Sequence, residues 1–277
     1  MLVLVFIFFI FAFSKKENVN QTVNIILSPH YDDAVLSLGG FITKNKASEP
    51  IIVATFFTGA PTVATSTAWD IASGFKDSTE AVKARIAENA RALNGKNITL
   101  VDYGYLDNQY RNQSDDSDLL AQNISKDIQA LIASQAGNVN VYGPADFGSG
   151  ITHPDHKLLH DAYVDSIASF PKTNVSFYFY EDFPYIEKFN ASSTHSIQNY
   201  LEQETGFLLE PTPVLLSDGQ LAEKESRIGA YDSQIKALDK SEDASVLARA
   251  HDFFKNRCGN QESIQACEMT YKVFIAP

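Results

Sequence analysis

The chain has 277 residues, 44% of them apolar and 20% charged, with a formal net charge of −12 and an isoelectric point near 4.9. That length can bury one full core, so one domain is the default, and the composition is that of an ordinary globular protein. A surface this acidic repels nucleic acid and anionic lipid headgroups, which excludes both as partners of the folded body.

Residues 1–13 are wholly apolar. The run is short for a spanning helix and suits the hydrophobic region of a signal peptide. Small residues follow at Ala12 and Ser14, while Lys15 and Lys16 would bound the segment if it stayed uncleaved. Residues 1–14 therefore read as a signal peptide or short N-terminal anchor, and residues 22–277 as the folded domain. The protein is expected to be secreted or extracytoplasmic, with membrane anchoring as the alternative, and to touch a membrane only through this segment. Cys258 and Cys267 are the two cysteines, and a disulfide between them suits an exported chain.

The body alternates strand and helix patterns. Apolar runs at 24–28, 50–57, 98–102, 138–142 and 175–180 read as buried strands. Helical patterns fall at 36–44, 79–94, 118–136 and 154–169, and less regularly at 223–238 and 244–255. In the 79–94 helix the apolar stripe is Val82, Ile86, Ala90 and Leu93, with Gly95 as the stop. Residues 59–74 read as a polar loop holding Trp69, and 104–117 as another loop. This alternation predicts an α/β fold: a Rossmann-like, mainly parallel sheet with helices on both faces, three layers in one domain.

Two strand ends carry chemistry. The first strand stops at Pro29 and is followed at once by His30, Asp32 and Asp33. The fourth is followed by His153-Pro154-Asp155-His156. Alone, each segment also reads as a helix N-terminus, since Asp favours the cap and Pro the first turn. Together they place two His/Asp clusters on loops that can meet at one sheet edge, where such folds build their sites. A His, an Asp and a second His leave a tetrahedral zinc one open position, the pattern of a catalytic site. Ferrous iron also accepts two His and one carboxylate.

Ser28-Pro29-His30-Tyr31-Asp32-Asp33-Ala34-Val35-Leu36-Ser37-Leu38-Gly39-Gly40, paired with His153-Pro154-Asp155-His156, resembles the PIG-L/LmbE family of zinc-dependent de-N-acetylases. Thr55–Gly59, Arg85–Leu93, Tyr105–Arg111 and Tyr180–Tyr185 resemble further family segments in the expected order, and the likeness spans roughly residues 22–240. Tyr31 stands where the family most often has Pro, and Ala34 where many members have Glu, a change shared with the bacterial-type branch carrying Ala-Val-Leu-Ser. The resemblance implies one Zn2+ per chain on His30, Asp33 and His156, with Asp32 as general base and His153 as oxyanion stabiliser or acid. Residue chemistry agrees: neighbouring side chains diverge, so Asp32 cannot readily share a metal with Asp33 and is free to take a proton from water. Asp155 is expected to orient His153 and favour its charged form.

Tyr31, Arg111, Glu181 and Asp182 are candidates to touch the substrate: Arg111 as a binder of hydroxyl or anion, Glu181 and Asp182 at the end of the fifth strand, Tyr31 at the pocket rim. The expected activity is hydrolysis of the acetamide of an N-acetylated sugar or glycoconjugate. A catalytically silent glycan-binding protein on the same fold and an amidase acting on a thiol conjugate are the alternatives.

Overall fold

A computed structural model describes residues 21–112, 116–148, 150–170, 174–189, 194–241, 244–258 and 266–275. The N-terminal segment, residues 1–20, lies outside them. Five parallel strands form the centre: β1 (Thr22–Ser28), β2 (Ile51–Thr55), β3 (Ile98–Asp102), β4 (Asn138–Pro144) and β5 (Val175–Tyr180). Two later strands extend the sheet, β6 (Leu208–Leu216) and β7 (Ala266–Phe274). Among the described residues the order is β3-β2-β1-β4-β5-β7-β6, with β7 antiparallel to both its neighbours. Strand β2 is buried throughout, as is β1 from Asn24 to Ser28, as a parallel sheet covered on both faces requires.

The pleat separates the two helix layers. Tyr142 and Tyr178 stack on one face, where Phe41 of α1 (Asp33–Asn45) packs 4.8 Å from Tyr142. Phe177 and Phe179 point to the other face, against Tyr163 of α5 (Pro154–Ala168). On that second face a Cβ on Gly143 would come within 2.2 Å of the Tyr163 ring, so this strand and helix touch because the side chain is missing. The three-layer, single-domain α/β architecture expected from the alternation is what the chain adopts.

Several local expectations need correction. The loop at 59–74 contains a short helix, α2 (Ala68–Ser73), made by a Thr67/Asp70 capping box and stopped by Gly74 at φ 97°. Helix α3 (Ser78–Ala92) turns a different face inward from its apolar stripe: Ile86 is exposed, while Arg85, Glu88 and Asn89 are buried. Its inner face meets polar groups rather than core, so hydrophobic periodicity misplaces it. Helix α4 (Ser117–Ala133) buries Ile124, Ile128 and Ile132, while Leu120 and Leu131 are only half-buried. After a helix α6 (Thr194–Thr205), β6 was hidden by Pro211 and Pro213, which only an edge strand tolerates. The 223–238 pattern is two helices, α7 (Asp218–Ile228) and α8 (Asp232–Ser241), broken around the buried Tyr231. Helix α9 (Val246–Asn256) is tied to β7 by a Cys258–Cys267 disulfide. No described helix is long and apolar enough to cross a membrane.

Candidate active site

Strands β1 and β4 are neighbours, but β1 crosses over to β2 on one side and β4 to β5 on the other. A crevice therefore opens beyond their carboxyl ends. The loop after β1 turns tightly there. Ser28 Oγ donates to the His30 carbonyl at 2.5 Å and accepts from Ala34 N at 3.0 Å, while His30 N donates to Asp33 Oδ2 at 2.7 Å. Asp32 occupies the N-cap position of α1, yet its side chain makes no capping hydrogen bond. It lines the cavity instead.

Three atoms converge in the crevice. His30 Nδ1 lies 3.2 Å from Asp33 Oδ2, His156 Nε2 lies 3.2 Å from Asp33 Oδ2, and the two nitrogens are 3.2 Å apart. Ligands about 2.0–2.1 Å from a tetrahedral ion sit roughly 3.3–3.4 Å from one another, so this triangle has the size that zinc demands. The outer nitrogens support the same conclusion. His156 Nδ1 meets Asp182 Oδ2 at 2.5 Å and His30 Nε2 meets Asp155 Oδ2 at 3.0 Å. An imidazole donating its outer N–H to a carboxylate turns the lone pair of its inner nitrogen toward the metal position. Overlapping His/Asp groups able to hold an ion cover the same ground, among them Asp33, His156 and Asp182. Asp182 sits on the far side of the His156 ring, so it orients the ligand rather than completing the triangle.

The electrostatics favour a cation at this point. Burial pulls the His156 imidazolium down, but Asp182 and Asp33 outweigh it and raise its pKa to about 10. His30 is likewise raised, burial being overcome by Asp107, Asp155 and Asp33. Asp33 is held well below the usual carboxylate range: His156 and His30 outweigh its burial. Burial, and then the neighbouring Asp33 charge, push Asp32 up to about 7. Two adjacent carboxylates thus separate into a permanently charged one and one poised to exchange a proton near neutrality.

His153 caps α5, its Nδ1 accepting the Asp155 N–H at 3.2 Å. The neutral ring then carries its proton on Nε2, the nitrogen left for the cavity. Burial, with His30 and His156 nearby, lowers its pKa to about 4. Asp155 does not hold His153, as the sequence suggested. Its Oδ2 is 3.9 Å from His153 Nδ1 but 3.0 Å from His30 Nε2, because Asp155 enters the first turn of α5 pointing at the β1 loop. Asn108 N at 2.8 Å and Arg111 Nη2 at 2.5 Å complete its surroundings.

Arg111 is thereby committed to Asp155 and to the Leu106 carbonyl at 2.8 Å, over the Phe57 ring, and does not line the cavity around the triangle. Glu181 is turned away, paired with Arg257 and with the Tyr271 hydroxyl at 2.7 Å. Tyr31 is 4% exposed and donates to Asp102 at 3.2 Å; it does not line the cavity around the triangle but faces a small pocket shared with His30, Asp32 and Arg85. Of the four substrate candidates, only Asp182 adjoins the triangle, through His156.

The cavity has a volume of about 180 Å3, far more than one water needs. Sequence reasoning assigned no role to several of its lining residues. Arg85 of α3 is buried with Nη1 3.5 Å from Asp107, and its Nε and Nη2 find no hydrogen-bond partner among the described residues. Gln109, Trp69, Pro184, Tyr185, Gln234 and Leu238 line the same cavity. The available signal was the inward stripe of α3: Ala81, Arg85, Glu88 and Ala92 recur at helical spacing, with charges where a core face should be apolar.

A family model described as PIG-L, GlcNAc-PI de-N-acetylase, matches residues 25–167, more than half of the chain. The chain belongs to the PIG-L family. Among solved structures, this PIG-L protein is similar to the zinc-inhibited form of the teicoplanin deacetylase Orf2. The TM-score is 0.75 at 22% identity, over 92% of this chain and 98% of that one. The A40926 pseudoaglycone deacetylase Dbv21 gives a TM-score of 0.72 at 22% identity, over 94% and 100%. The N,N'-diacetylchitobiose deacetylase from Pyrococcus horikoshii gives 0.55 at 19% identity, over 92% and 84%. At such identities the likeness establishes a shared fold. No curated protein matches the sequence.

Proposed function

We propose that this protein is a zinc-dependent hydrolase that removes the acetyl group from an N-acetylated sugar or glycoconjugate, and that it works outside the cytoplasm. The triangle of His30, Asp33 and His156 between the cavity-lining Asp32 and His153 carries the reading. The family description and the diacetylchitobiose deacetylase both name an N-acetylated aminosugar, which supports that substrate class. The apolar run at residues 1–13 and the Cys258–Cys267 disulfide support an exported location.

A divalent ion on the three ligands, zinc or ferrous iron, supplies a Lewis acid for the amide carbonyl and an acidified water. The chain does the rest. Asp32, which lines the cavity beside Asp33, would accept the proton of the attacking water and pass it to the amide nitrogen as the C–N bond breaks and the amine leaves. His153, neutral and protonated on Nε2, donates a hydrogen bond where negative charge develops on the carbonyl oxygen. Asp182 and Asp155 keep the ligand rings fixed. The partnerless N–H groups of Arg85, beside Asp107, are placed to hold sugar hydroxyls.

The test is acetate release from N-acetylglucosaminides, with a thiol-conjugate amide in the same panel, by zinc-loaded and chelated protein. Release that needs the metal supports the proposal. A protein that binds zinc stoichiometrically and sugars tightly but releases no acetate is the silent binding protein instead.

A further inference from the structure

Helix α9 grips the segment that carries Asp182 at two points. Arg257, which caps the end of the helix, pairs through Nε and Nη2 with the two Glu181 oxygens, Nε lying 2.6 Å from Oε2. The Phe183 ring lies 5.5 and 5.4 Å from the rings of Phe253 and Phe254. Between these two held residues stands Asp182, fully buried, whose carboxylate meets His156 Nδ1 at 2.5 Å. Arg257 is followed directly by Cys258, and the Cys258–Cys267 disulfide fastens that helix end to β7. On the β7 side, Cys267 is followed by Glu268, which accepts the Gly40 and Phe41 N–H groups of α1 at 2.6 and 2.7 Å. Helix α1 begins with Asp33. One cross-link thus has on one flank the residue that holds the outer partner of His156, and on the other the residue that holds the helix of Asp33.

Helix ends are the first parts of a fold to fray, and Arg257 sits at one. Without the cross-link, keeping it against Glu181 would cost the entropy of ordering that end. We infer that the Cys258–Cys267 disulfide is a redox clamp on the metal centre: in the oxidised chain it keeps Arg257 on Glu181 and so Asp182 on His156, and its reduction weakens metal binding. The inference rests on the metal reading of the triangle and makes Arg257 a positioning residue for it. Cys258 is half-buried and Cys267 fully buried, so a dithiol reductant attacks the Cys258 sulfur. A bond forms between that sulfur and the reductant, the protein S–S bond breaks, and Cys267 leaves as a thiolate that takes up a proton. The second thiol of the reductant then closes the reductant's own disulfide and frees Cys258 as a thiol. Two electrons and two protons pass from the dithiol to the protein. A chain in a reducing compartment therefore carries the weaker metal site, which is completed in an oxidising one.

Zinc affinity is measured against a competing chelator near neutral pH on three proteins. They are the oxidised chain, the chain with Cys258→Ser and Cys267→Ser together, which leaves no thiol to bind the ion itself, and Arg257→Gln with the disulfide intact. The serine pair and Arg257→Gln are each expected to weaken zinc binding about tenfold, the lower end of the losses seen when an outer partner is disturbed. Combined, they are expected to weaken it little further, because both act through the Arg257–Glu181 contact. A lower melting temperature in the serine pair with unchanged zinc affinity overturns the inference and leaves the disulfide a staple. So does a disulfide that excess dithiothreitol leaves intact in the folded chain. Should the serine pair not fold, Arg257→Gln decides alone, and wild-type affinity in that variant overturns the clamp. Equal zinc binding by all forms removes only the clamp, whereas no zinc binding even by the oxidised chain removes the metal reading and the clamp together.

Discussion

Asp182 is the sharpest place to perturb the proposed metal triangle of His30, Asp33 and His156 without touching it. The carboxylate is fully buried, 2.5 Å from His156 Nδ1, and sits beyond the ring from the ion position. Asp182→Asn keeps shape and an acceptor oxygen but deletes the charge. Loss of such an outer partner typically weakens metal binding 10- to 100-fold, about 1.4–2.8 kcal/mol. Protons complicate the measurement in a calculable way. In the metal-free protein His156 is raised to about 10, chiefly by Asp182 against its burial, so at pH 7 a proton must leave before the ion binds. That competition is worth on the order of a thousandfold in apparent affinity at pH 7. The asparagine variant lowers the imidazole pKa, so it loses intrinsic affinity and part of the competition together. The deficit should therefore be small near pH 6.5 and grow toward pH 8.5, with the wild-type affinity rising more steeply with pH. Zinc titration against a competing chelator at several pH values reads both quantities. A ratio of the two affinities that stays constant from pH 6.5 to pH 9.5 would refute the claim that Asp182 acts through His156.

Asp32→Asn should bind zinc like the wild type and lose acetate release by about 10²- to 10⁴-fold, checked by turnover beside metal stoichiometry. His153→Phe removes the Nε2 donor and should lower kcat about 10²- to 10³-fold with little change in KM, measured by steady-state kinetics. Arg85→Met should raise KM for sugar substrates while leaving metal affinity intact, which separates hydroxyl binding from assembly of the metal triangle. Glu268→Ala strands the fully buried Lys224, 2.7 Å away, and should cost about 3–5 kcal/mol in urea unfolding. Burial lowers the Lys224 pKa to about 8 even with Glu268 raising it, so without that partner the lysine gives up its proton at lower pH, and part of the loss should be relieved as the pH rises toward 8.

What the sequence made legible was local. The strand before His30 and the strand before His153 could be read because each ends in a short run of metal-competent residues, and zinc chemistry leaves few other uses for such a pair. The partners of those residues could not be read. Asp155 is two residues from His153 and 125 from His30, yet it hydrogen-bonds the distant ring, because the first turn of α5 points it across the crevice. Arg111 and Glu181 looked available for substrate and are instead bound to Asp155 and Arg257, pairings between distant stretches of chain. The inward face of α3 escaped for the opposite reason. Periodicity finds apolar stripes, and this helix buries Arg85, Glu88 and Asn89 against the cavity and α8.

The family match ends at residue 167, but the site does not. Helix α1 carries Asp33 on its first turn and loses helical geometry at Leu38, with φ −120° and ψ 22°. The freed N–H groups of Gly40 and Phe41 donate to the two Glu268 oxygens on β7 at 2.6 and 2.7 Å, and Lys224 of α7 donates to the Ser37 carbonyl at 3.1 Å. Gly39 and Gly40 are small for this reason: a Cβ on Gly40 would lie 2.3 Å from Leu216, and one on Gly39 2.9 Å from Lys224. Ser37 Oγ accepts the Phe183 N–H at 3.1 Å, fixing the segment that holds Asp182 and Tyr185. Tyr231 donates to Asn89 at 3.0 Å, and Ser233 holds Glu88, pinning the helix that presents Arg85. The C-terminal third, where the sequence pattern was least regular, is thus the frame that holds both halves of the cavity. Truncating it would keep the metal motifs intact in sequence while removing the groups that hold α1 and α3 in place.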